Sequence, residues 1–61
     1  MIDYNENVLR IWLDDKYAIR KYKGVETFVL EYYKYGTDHM PDDIDRSYDI
    51  DKLIDRYLKI K

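Results

Sequence analysis

The sequence predicts a compact three-helix domain of the all-α class. Three observations carry that expectation: apolar residues recur at helical spacing in the middle and at the end of the chain, capping residues bound each such stretch, and only one proline and two glycines interrupt the 61 residues. The last helix is the clearest. Ile50, Leu53, Ile54, Tyr57 and Leu58 fall at i, i+3, i+4, i+7 and i+8, which makes one apolar stripe on a helix. Asp49 is placed to cap its N-terminus and Tyr48 to staple onto Leu53, while Lys59 and Lys61 meet the negative end of the helix dipole. The middle helix is expected over residues 25–35 with Val25, Phe28, Val29 and Tyr32 inward, and Gly36 follows where a left-handed C-terminal cap belongs.

The first helix is expected between Asn5 or Asp3 as N-cap and Gly24 as terminator. Tyr4 would staple onto Leu9, and Val8, Ile11, Trp12, Ile19 and Tyr22 share a rough face that Asp15 interrupts. The alternative is an α+β domain with an N-terminal hairpin followed by two helices: residues 8–13 form a strand, the chain turns at Asp14 and Asp15, and residues 16–22 return. A break near residues 14–16, giving two short helices, is a further option. Residues 37–47 lack a clean period and read as a long connection, with one helical turn at 41–44 that Pro41 would open.

A chain this short buries only about 60% of the surface its unfolded form exposes. One domain over residues 1–61 is therefore the ceiling, and a homodimer is the expected source of the missing stability. The absence of cysteine excludes disulfides and thiolate zinc sites and suits a reducing compartment. No apolar run reaches the roughly 18 residues of a membrane span, and the acidic start at Asp3 and Glu6 does not resemble a signal peptide. The expectation is a soluble protein of the cytoplasm, with no membrane partner.

Enzymatic chemistry is not expected. Ser47 is the one serine and lacks a glycine elbow, and Gly24 and Gly36 stand too far apart for a phosphate-cradling loop. The alternation of Asp43, Asp45, Ser47, Asp49 and Asp51 imitates a calcium loop but fails its register. Tyr48 stands where the loop needs glycine and Ile54 where it needs a bidentate glutamate. No metal site and no cofactor is therefore expected, and His39 reads as a loop residue.

Two surfaces stand out as candidate partner contacts. On a helix ending at Gly36, Tyr33 and Tyr35 project away from the apolar stripe and join Tyr17 in an exposed aromatic surface of the kind enriched at interfaces. The acidic run contributes Asp42, Asp43 and Asp45, placed to steer a basic target. Lys16, Arg20, Lys21 and Lys23, with Tyr17 and Tyr22 interleaved, form the alternative site, a grip for a nucleic-acid backbone. Direct nucleic-acid binding ranks lower, because the net charge of −2 lacks the basic excess of such binders.

The stretch Tyr4-Asn5-Glu6-Asn7-Val8-Leu9-Arg10-Ile11-Trp12-Leu13-Asp14-Asp15-Lys16-Tyr17 resembles the opening of short phage and mobile-element proteins of unknown function. The later pieces Met40-Pro41-Asp42-Asp43 and Tyr48-Asp49-Ile50-Asp51-Lys52-Leu53-Ile54 look similar to their close. This chain departs from them at Val8-Leu9-Arg10, where they often carry another aromatic. The resemblance implies a compact helical accessory protein aimed at host machinery, and it brings no active-site residues. Taken with the two surfaces, the expected function is binding and modulating or inhibiting a host protein, a nucleic-acid-handling one among the candidates, with an anti-defence role as one version. A nucleic-acid-associated regulator and a structural oligomer subunit are the alternatives.

Overall fold

The computed structural model describes residues 2–60 and overturns the all-α expectation: the chain is a five-stranded antiparallel sheet with one helix. The strands are β1 (Ile2–Tyr4), β2 (Val8–Trp12), β3 (Tyr17–Tyr22), β4 (Phe28–Tyr32) and β5 (Asp42–Ser47), followed by α1 (Ile50–Ile60). They form a meander in which spatial order equals chain order, β1-β2-β3-β4-β5.

Side-chain chemistry at the turns explains why strands win. Asn5 Oδ1 accepts the backbone N–H groups of Asn7 and Val8, and Asp14 Oδ1 accepts those of Lys16 and Tyr17, so each residue closes a reversal between strands. Gly24 and Gly36 take φ of +81° and +90°, which a residue with a Cβ adopts only at a cost, and they break the chain after β3 and β4. These reversals recur at intervals of about ten residues, the spacing of an all-β meander. The expected N-cap at Asn5 is thus a turn. The Tyr4–Leu9 staple is instead a cross-strand pair.

The expected helix over residues 25–35 is replaced by a turn and β4. Its stripe mixed two faces of a strand: Phe28, Leu30 and Tyr32 alternate with Val29 and Glu31, and both sets are covered. A strand buried on both sides reads as a continuous apolar run and loses its period of two. Residues 8–22 form the hairpin that was the alternative to a first helix, but a single helix follows in the chain rather than two. The helical turn expected at 41–44 is likewise absent, since Pro41 directly precedes β5.

The last helix forms where its stripe lies. Asp49 Oδ1 accepts the N–H of Asp51, Asp51 occupies the first turn and Lys59 the last. Lys61 lies outside the described residues. Tyr48 is 78% exposed and leaves Leu53 to be covered by the sheet, and Leu58, expected on the inner stripe, is 60% exposed. Leu53 and Tyr57 close with Ile19 and Leu30 into the core, flanked by Leu13, Tyr17, Phe28, Ile44, Ile50 and Ile54. A bulge in β5 opposite Leu30 and Glu31 turns Ile44 to this core, yet keeps Asp43 beside Glu31 and Arg46 beside Val29. Among the described residues, no helix is long and apolar enough to cross a membrane.

Candidate partner-binding site

The register assigns each residue to a face. Ile11, Ile19 and Leu30 share a row on the helix side, whereas Arg10, Arg20, Val29 and Arg46 share one on the opposite, open side. Next to that second row runs another, made of Trp12, Ala18, Glu31 and Asp43. Arg10 and Arg20 are directly opposed, a pairing of like charges that destabilises a sheet unless an anion intervenes. Glu31 supplies it. Its Oε1 accepts Arg10 Nε at 2.9 Å and Tyr33 Oη at 2.9 Å, and its Oε2 accepts Arg20 Nη1 at 2.8 Å.

Glu31 is fully buried on the side of the sheet that faces away from α1. Its cover is made of side chains: the two guanidinium groups and Tyr33, whose ring lies 4.8 Å from that of Trp12. Ala18, also fully buried, leaves the space over β3 through which Arg10 on β2 reaches Glu31 on β4. Burial alone would lower the Arg10 pKa, but the hydrogen bond and charge of Glu31 outweigh it and raise it. Burial, then the Glu31 hydrogen bond, pushes the Tyr33 phenol up to about 12.

This geometry redistributes the expected contact residues. Tyr33 is not on the surface: it is 5% exposed and belongs to the Glu31 network. Tyr17 is half-buried, stacked on Tyr32 at 4.8 Å and edge-on to Tyr57 at 5.3 Å, so it lines the core. Tyr57 in turn donates to Asp14 Oδ2 at 2.7 Å, which raises its pKa and ties the end of α1 to the β2–β3 turn. Tyr35 remains exposed, with Lys34 Nζ 5.3 Å from its ring centre and His39 edge-on to it.

Asp42, Asp43 and Asp45 are all exposed and lie along β5, the outermost strand on one side of the sheet. Asp43 Oδ2 also accepts Arg20 Nη2 at 3.4 Å. The connection from β4 presents Tyr35 and Met40, 71% and 92% exposed, ahead of this acidic edge. The basic stretch does not stay together, because strand alternation divides it. Arg20 is committed to Glu31, Lys16 Nζ reaches the Lys34 carbonyl, and Lys21 and Lys23 line an open cleft of about 330 Å³ with Tyr4, Tyr22, Leu9 and Glu6. Comparison with known protein families, curated proteins and solved structures finds no match to this chain.

Sequence reasoning missed Glu31 and Arg10. A lone carboxylate inside the run Phe28-Val29-Leu30-Glu31-Tyr32-Tyr33 is the signal that could have found it, since a charge amid strand residues buried on both faces needs a partner. Arg10 and Arg20 at alternating strand positions are the partners such a search would return.

Two outcomes follow for this network. Removing one member of a buried ion pair costs about 3–5 kcal/mol, against a total stability of about 3–9 kcal/mol for a chain of this size. Glu31→Ala is therefore expected to leave the protein largely unfolded in urea titrations. Asp43→Ala should cost under about 1 kcal/mol, because its ion pair is partly exposed. Equal losses for the two variants would mean that Glu31 is not the keystone. The second outcome concerns alkali. A phenol whose pKa is raised by folding contributes stability that is fully present below the ordinary value of about 10 and is lost as pH climbs toward about 12. The urea midpoint should fall through that window, and Tyr33→Phe should flatten the fall. An identical slope in the variant would disconnect Tyr33 from the effect.

Proposed function

We propose that the chain is a small phage-like or mobile-element-like accessory protein that binds and modulates a host protein through its acidic edge. One observation supports this most: Asp42, Asp43 and Asp45 are exposed on an outermost strand, and the preceding connection adds Tyr35 and Met40 beside them. An aromatic anchor next to a charged rim is the composition of a binding surface, with the anchor holding the partner and the charges steering it. The acidic strand also repels a second acidic edge, which selects for a basic target. A host protein that handles nucleic acid presents such a basic surface, and inhibition of restriction or of a CRISPR complex is the anti-defence version of this reading. Of the aromatic residues first considered, Tyr35 carries this role; Tyr17 and Tyr33 serve the interior.

A second reading draws on the cleft at the other side of the sheet. Lys21 and Lys23 meet Tyr4 and Tyr22 there, a pairing of cations and rings suited to a nucleotide strand. It would make the protein a nucleic-acid-associated regulator in which Lys16 and Arg20 play no direct part.

Kinetics against the partner recovered by affinity capture from host cells test the leading reading. Replacing Asp42, Asp43 and Asp45 by asparagine is expected to slow association about tenfold or more at low salt and to flatten its salt dependence, with folding retained. Tyr35→Ala should instead speed dissociation. An unchanged association rate and salt slope in the triple variant would return the aspartates to the role of solubilising charge. Recovery of nucleic acid alone, with binding abolished by Lys21→Ala and Lys23→Ala, would establish the second reading in its place.

A further inference from the structure

The chain holds no cysteine, so no disulfide can cross-link it, although at this size a cross-link is a common aid to stability. It is rich in tyrosine instead, and three of these residues meet on the helix side of the sheet. Tyr17 on β3 stacks on Tyr32 of β4 at 4.8 Å and meets the ring of Tyr57 from α1 edge-on at 5.3 Å. The Tyr57 phenol donates to Asp14 Oδ2 at 2.7 Å, while Asp14 Oδ1 accepts the N–H groups of Lys16 and Tyr17. That bond favours loss of an electron at Tyr57. A phenol that gives up an electron becomes a strong acid, and it gives the electron up more readily when a base in contact takes the proton in the same step. Asp14 is such a base, fixed on its turn. Tyr33 also donates to a carboxylate, but Glu31 is paired with Arg10 and Arg20 and resists protonation.

We propose that Tyr57 and Tyr17 form a site of oxidative coupling, at which two equivalents of a one-electron oxidant join the two rings and tie α1 covalently to β3. The first equivalent takes an electron from Tyr57 while Asp14 takes the phenolic proton, which leaves a neutral phenoxyl radical. The second takes an electron from Tyr17, whose proton passes to water. The two radicals pair their electrons in one carbon–carbon bond between ring positions ortho to the oxygens, and the hydrogen on each of those carbons moves to its own oxygen. The product is dityrosine, lighter than the two tyrosines by two hydrogen atoms; the oxidant carries off both electrons, and both protons reach solvent. Coupling stays within the chain because Tyr57 is buried and Tyr17 half-buried, which keeps a second chain away from the radicals. The bond closes a long loop, from the start of β3 to the end of α1, and a cross-link of long span restricts the unfolded chain strongly. It involves neither Tyr35 nor the aspartates of β5, so the inference stands apart from the proposed function.

Oxidation of the purified chain by a light-excited ruthenium tris-bipyridine complex with persulfate tests the proposal. It is run on the chain as it stands and on one in which the exposed Tyr4, Tyr22, Tyr35 and Tyr48 are replaced by phenylalanine, which silences coupling between chains. Both are expected to give dityrosine fluorescence in a species of monomer mass less two hydrogen atoms, at a rate per chain independent of protein concentration. Its peptide map should join Tyr17 to Tyr57, and its urea midpoint should lie above that of the untreated chain. Tyr57→Phe and Tyr17→Phe should each abolish the internal link with circular dichroism unchanged. Asp14→Asn keeps an oxygen for the turn amides but cannot take up the proton, so it should slow the coupling. Three results would overturn the proposal: no link within the chain, an internal link that maps to another pair or survives Tyr57→Phe, or an Asp14→Asn variant that couples at an unchanged rate. Since no host protein is present in the experiment, its failure would leave the proposed function standing, and the reverse is equally true.

Discussion

A carboxylate with no access to water sits between two opposed arginines on the open side of the sheet, and the rest of the molecule is arranged around that contact. A sheet with a helix on one side normally needs a second layer or a solvated polar surface on the other. Here the open side is solvated at Asp43 and Arg46 on β5 but closed over Glu31. Arg10, Arg20 and Tyr33 lie across Glu31 and seal β2, β3 and β4 with their own stems and rings, so long polar side chains do the work of a layer. Asp43 extends the clasp to β5 through Arg20. A chain of 61 residues can therefore afford one helix rather than two.

The same arrangement sets what is left for binding. Arg20 and Tyr33, which look like interface residues by type, are consumed internally, and Tyr17 is drawn into the core beside Tyr32 and Tyr57. What stays outward falls at the two sides of the sheet. One side is acidic, with β5 and the Tyr35–Met40 connection; the other is apolar and ringed by both signs of charge, with Ile2 and Tyr4 uncovered. An acidic strand resists pairing with its own kind, whereas an apolar patch does not.

The helix α1 is legible in the sequence because one of its faces is buried and the other solvated, so Ile50, Leu53, Ile54 and Tyr57 stand out against Asp51, Lys52, Asp55 and Arg56. The strand β4 is not, because both of its faces are covered and Val29 and Glu31 are buried along with Leu30. Reading the two faces as one gives Val25, Phe28, Val29 and Tyr32 a false helical spacing. That error propagated to function: a helix projects Tyr33 outward, while a strand folds it over Glu31. The acidic exposure of Asp42, Asp43 and Asp45 survives the change of fold, because high local charge without apolar neighbours stays in water in either conformation. The turn residues were the better guide, since Asn5, Asp14, Gly24 and Gly36 punctuate the chain at the spacing of a meander.

Amide hydrogen exchange followed residue by residue tests most directly whether side chains alone can seal the open face. If they do, the amides of β3 and β4 around Ala18, Ile19, Leu30 and Glu31 open only with global unfolding, and their protection equals or exceeds that of Leu53 and Tyr57 in the helix. Protection there that falls about a hundredfold or more below the helix would show that water enters from the open side, and that Glu31 and its arginines do not hold the sheet together.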